Sequence, residues 1–121
     1  MSVIERWRCG MGRRWHCAIG ILCVCAAPLS AADLVFEDHV RPMLKARCFS
    51  CHGEADELAG GLDLRLARLI RQGGESGPAV MLGDHVGSLL YQRVVDGEMP
   101  PDGQPGLTPP QVELLKRWID A

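Results

Sequence analysis

The chain has 121 residues, 47% of them hydrophobic and 23% charged, with a formal net charge of −2. That length fits one small domain and excludes a barrel enzyme or a complete dinucleotide-binding fold. From Asp33 onward nine Lys and Arg stand against fourteen Asp and Glu, a net of −5 with no basic cluster able to follow a phosphate backbone, so nucleic acid is excluded as a partner.

Residues 1–32 read as a leader. Arg6, Arg8, Arg13 and Arg14 make a basic start, residues 17–29 carry no charge, and Ser30-Ala31-Ala32 supplies small residues for cleavage after Ala32. The apolar run of 13 residues is shorter than the roughly 17 to 25 that span a bilayer, so a signal peptide is expected rather than an anchor. An exported, periplasmic or extracytoplasmic domain, 33–121, without a stable membrane span follows from this. Four of the six cysteines fall in the leader and act there as small hydrophobes.

The rest reads as short helices joined by Gly-rich loops. Phe36, Val40, Met43 and Leu44 recur at helical spacing over about 34–47, with Pro42 set to kink or split the helix. Leu62, Leu66, Leu69 and Ile70 share one face of a second helix that Gly73-Gly74 ends, although the alternation over Leu62–Leu66 also suits a short strand. Ser88 caps a third helix containing Leu89, Leu90, Arg93 and Val94, with Gly97 as its stop. Thr108, Pro109 and Gln111 open the last helix as a capping box, and Val112, Leu115, Trp118 and Ile119 form its apolar stripe. The expected fold is all-α, with loops near 53–61, 73–87 and 98–107. Its few aromatics, Phe36, Phe49, Tyr91 and Trp118, predict a thin core that an apolar cofactor would stabilise.

The chemistry lies in Cys48-Phe49-Ser50-Cys51-His52, the five-residue pattern for covalent haem attachment. Two thiols three positions apart meet the two vinyl groups of one porphyrin as thioethers, and His52 turns beneath the ring to coordinate iron. The motif follows the first predicted helix, lies in a chain with an export leader, and holds every cysteine beyond that leader. Three other readings stand beside it. These are a Cys48–Cys51 disulfide with a surface histidine, a redox-active dithiol, and a structural zinc site completed by His39 and His85. The dithiol fold needs a strand before the motif, and the zinc site lacks a second closely spaced pair.

Candidates for a sixth iron ligand are Met43, Met81, Met99, His39 and His85. Met99 stands out. It precedes Pro100-Pro101, which restrict its loop, and it follows His52 by 47 residues, enough chain to wrap the far face of a haem. Met43 reads as a core residue, Met81 as a residue of the long loop lining the pocket, and His39 as solvent-facing.

The ordered segments Phe36–Gly53, Gly60–Leu64, Gly73–Val80, Ser88–Val94, Met99–Pro101 and Leu114–Asp120 resemble the planctomycete-type cytochrome c domain, within the class I cytochrome c fold. The resemblance implies a small helical domain around a covalently bound haem, with Cys48 and Cys51 attaching it and His52 and Met99 as axial ligands. It also implies that the first and last helices cross beside the haem. One departure is Met81–Val86, where the family usually has Pro-Gly; His85 there adds a second candidate ligand or propionate neighbour. In the family this domain often stands at the front of a longer protein.

The function implied is electron transfer. With both axial positions filled no site is open to substrate, so catalysis by this domain alone is not expected. The alternatives are an electron-relay unit of a larger enzyme and a sensor module in which Met99 leaves the iron. The expected partner is a redox protein or an attached enzyme domain, presenting a positive patch to this acidic chain.

Overall fold

The computed structural model describes residues 34–121. The leader assigned to residues 1–32, and cleavage after Ala32, lie outside the described residues. Among the described residues there is no strand; Gly74 with Gly77 and Met81 with Asp84 form isolated bridges. No helix among them is long and apolar enough to cross a membrane.

The first helix is split as Pro42 foretells. Phe36–Val40 forms a π-helical turn, in which the Arg41 N–H donates to the Phe36 carbonyl, and α1 (Arg41–Arg47) follows. Pro42 brings no N–H to the Asp38 carbonyl and its ring crowds that carbonyl, which accounts for the widened turn immediately before α1. Helix α2 (Phe49–His52) follows at once, Cys48 forming the bend between the two.

The second predicted helix begins later than its apolar pattern suggests. Helix α3 runs over Ala67–Gln72, so Leu62 and Leu66 lie outside it, and neither a helix nor a strand forms over 62–66. Local side-chain bonds win there. Asp63 Oδ1 accepts from the Arg65 N–H at 2.9 Å, and Arg65 closes an ion pair on the same carboxylate at 2.6 Å. The Leu64 N–H donates instead to the His52 carbonyl at 2.8 Å, and the Leu64 side chain is buried. Gly73 ends α3 at φ +78°. A Cβ at Gly73 would lie 1.8 Å from the Gly77 carbonyl oxygen, so only glycine fits.

Helix α4 (Leu89–Val95) and helix α5 (Pro109–Asp120) lie where the sequence puts them. Ser88 occupies the position before α4 but caps nothing. Its buried hydroxyl donates to the Asp84 carbonyl at 2.7 Å and accepts from the Met81 N–H at 2.8 Å, pinning the 81–88 loop. At α5, Gln111 Oε1 accepts from the Thr108 N–H at 2.8 Å. Leu115, Trp118 and Ile119 are buried and Val112 is half-buried.

The core joins every helix: Phe36, Val40, Met43 and Leu44 from the first, Phe49, Ile70 and Leu90 from the next three, and the α5 stripe. The opening turn packs on α5, with the Phe36 and Trp118 rings 5.2 Å apart and tilted by 40°. Phe49 is buried beneath the Arg41 guanidinium, 5.8 Å from the ring centroid.

Candidate haem site

Burying Phe49 orients its neighbours. In a helical turn positions i, i+3 and i+4 share a face, so Cys48, Cys51 and His52 point together away from Phe49. That face lines a cavity of about 380 Å³. Leu62, Leu64 and Ala79 supply apolar wall, and α4 turns Leu89, Leu90, Arg93 and Val94 toward it. Two Gly-rich loops make another side. The Glu75 N–H donates to the Gly60 carbonyl at 2.8 Å, and a Cβ on Gly74 would lie 2.3 Å from that same oxygen. The closing side is the 98–107 loop, from which Met99, Pro100, Pro101, Gln104 and Leu107 reach the cavity.

Of the five proposed sixth ligands, Met99 alone lines this cavity. Met43 is buried in the core, as expected. Met81 is 53% exposed and does not line the cavity, contrary to the expectation for that loop. The His39 ring lies 3.1 Å from the Val35 carbonyl. His85 faces α5: its Nδ1 lies 2.8 Å from the Asp120 carboxylate, its N–H donates to Asp120 Oδ1, and its ring meets Tyr91 edge-on at 4.9 Å. The departure at 81–86 thus serves as a strut between a loop and the end of α5.

Met99 is held from α4. The Arg93 carbonyl accepts from the N–H groups of both Glu98 and Met99, at 2.9 and 3.0 Å, and the Arg93 guanidinium pairs with the Glu98 carboxylate. The Met99–Pro100 peptide bond is cis.

The donors suit a c-type haem. Cys48 and Cys51 are both free thiols, Cys51 exposed and Cys48 half-buried. Burial, with a smaller contribution from the neighbouring Cys51, pushes the Cys48 thiol up to about 11. That is the reverse of the lowered thiol on which a dithiol oxidoreductase depends. Nδ1 of His52 is buried without a hydrogen-bond partner among the described residues. Zinc fits less well, because among the described residues no three His, Cys, Asp or Glu side chains are placed to hold one metal ion, and His39 and His85 are engaged elsewhere.

Two cavity residues escaped the sequence reading as site residues: Arg47, whose Nε is buried without a partner, and Arg93. Arg93 had a legible signal. It falls on the apolar stripe of α4 with Leu89, Leu90 and Val94, where a charge is out of place unless it has a partner.

An all-helical domain with two thiols, an imidazole and a thioether facing one apolar cavity has the make-up of a small cytochrome. Residues 48–103 match the family model described as Planctomycete cytochrome C, so over that span, somewhat less than half of its length, the chain is similar to that family. The matched span begins at Cys48 and ends beyond Met99, leaving the first helix and α5 outside it. No curated protein and no solved structure matches the chain.

Proposed function

We propose that residues 33–121 form an exported electron-transfer domain, released from a signal peptide of residues 1–32 and carrying one covalently attached c-type haem. Cys48 and Cys51 would hold the group as thioethers, and His52 and Met99 would ligate its iron. The observation that carries this reading is the convergence of these four side chains on one largely apolar cavity, although Met99 lies 47 residues from His52. A bound haem supplies a one-electron ferric–ferrous couple. The chain's own residues do the rest. Leu62, Leu64, Leu90 and Val94 exclude water and lower the local dielectric, while the hydrogen bonds from Glu98 and Met99 to Arg93 keep the thioether loop on α4. With His52 and Met99 both on the iron, the domain would pass electrons without binding a substrate there.

The test is maturation of the full chain in cells that attach haem. A haem-stained band on a denaturing gel, with colour that resists acid–acetone extraction, is expected. Amino-terminal analysis of the product should begin at Asp33. A mature chain whose mass is that of the bare polypeptide overturns the reading.

A further inference from the structure

We infer that Arg93 is the cation that binds a haem propionate, and that through Glu98 it couples that anion to the loop carrying Met99. This inference rests on the haem reading above and adds a positioning residue to it. A haem brings two carboxylates, and no Asp or Glu among the described residues lines the cavity, the nearby Glu98 being neutralised by its pair with Arg93. The cavity wall contains two cations, Arg47 and Arg93. They are not equivalent. Arg93 keeps its guanidinium half-exposed and already holds a carboxylate, that of Glu98, whereas the Nε of Arg47 is buried, which favours Arg93 for the propionates.

Arg93 also has the surroundings this role requires. Its guanidinium already binds one carboxylate, that of Glu98, and its side chain remains half-exposed. A planar guanidinium presents five donors, enough for two carboxylates at once. Its carbonyl meanwhile takes both N–H groups of Glu98 and Met99. One residue therefore touches the cavity, the residue before Met99, and the backbone of Met99 itself. A propionate on Arg93 is tied by this route to the position of the thioether.

The experiment uses the full haem-loaded chain and the variants Arg93→Gln, Arg93→Lys, Glu98→Gln and Arg47→Gln. Haem staining comes first and tests the underlying reading by itself; an unstained wild type sinks that reading and this inference with it. On stained protein three quantities are read: the propionate-bending band in the resonance Raman spectrum, the midpoint potential, and the near-infrared methionine–iron band. Arg93→Gln should shift the propionate band, lower the potential through loss of a cation that favours the ferrous state, and weaken the methionine band. Arg93→Lys should return the potential toward wild type. Glu98→Gln should leave the propionate band in place while weakening the methionine band, and Arg47→Gln should leave both unchanged. A wild-type propionate band in stained Arg93→Gln overturns the inference. So does a propionate band that moves in Arg47→Gln and not in Arg93→Lys, which serves if Arg93→Gln fails to accumulate.

Discussion

Met99 and His85 divide the question of the sixth ligand between them. Met99 borders the cavity, and His85 is fastened to Asp120 on another side of the molecule. Met99→Ala should therefore abolish the near-infrared methionine–iron band, lower the potential and admit cyanide or carbon monoxide quickly, while the haem stays bound through Cys48 and Cys51. His85→Ala should keep the band and the slow ligand binding of wild type. Rapid cyanide binding by His85→Ala would sink the assignment. The His85–Asp120 contact has its own consequence. The hydrogen bond from His85 holds the Asp120 carboxyl below the usual carboxylate range, and Arg65 does the same for Asp63. A depressed folded value means that the folded state favours the ionised form. The associated stability is present above the unfolded value of about 4 and is lost as pH falls through the folded one. Denaturant midpoints should decline as pH drops below about 5, and Asp120→Asn should flatten that decline without moving the spectrum. An unchanged slope in Asp120→Asn would show that other groups set the acid limit. The Cys48–His52 motif of the candidate site was legible in the sequence because it is local: five consecutive residues carry two thiols and a base. Arg93 was harder to see, since its role depends on a loop folding back to place Glu98 and Met99 on its own carbonyl.

The helices differ in how far their own residues determine them. Helix α5 was readable to its first residue because Thr108, Pro109 and Gln111 act within one turn of each other. Helix α3 was not, because its apparent first turn is taken by competing bonds: Leu64 to His52 across the chain, and Arg65 to the Asp63 side chain locally. An apolar pattern reports which side chains are buried, and Leu64 is buried, but not which backbone partner wins. Ser88 teaches the same lesson, since its hydroxyl serves the preceding loop instead of α4. The packing of the opening turn on α5 can be tested directly. Trp118 meets Phe36 and is 9% exposed, so Trp118→Ala should cost about 3–5 kcal/mol, read as a fall in the denaturant midpoint of the haem-loaded protein. The haem spectrum should be retained at low denaturant, because Trp118 does not line the haem cavity. A midpoint equal to that of wild type would show that this contact is not structural.

At the scale of the molecule, charge governs how the proposed carrier finds its partner. The chain from Asp33 carries a net −5, and the propionates of a bound haem add to it. The apolar cavity wall gives a partner no electrostatic signal at long range, whereas the summed field of the surface acts over a Debye length of about 10 Å at 0.1 M salt. Encounter with a positively charged partner should therefore be steered, and the steering should fade as salt is added. Inorganic oxidants separate this effect from any particular protein interface. Stopped-flow oxidation of the ferrous protein by a cationic cobalt complex should slow as ionic strength rises, and oxidation by ferricyanide, an anion, should speed up. The slopes should have opposite signs because the charge products do. A common slope for both reagents would mean that the surface around the point of electron exit is neutral or positive despite the acidity of the whole, and that partner choice rests on local residues such as Arg47 and Arg93 at the cavity rather than on net charge.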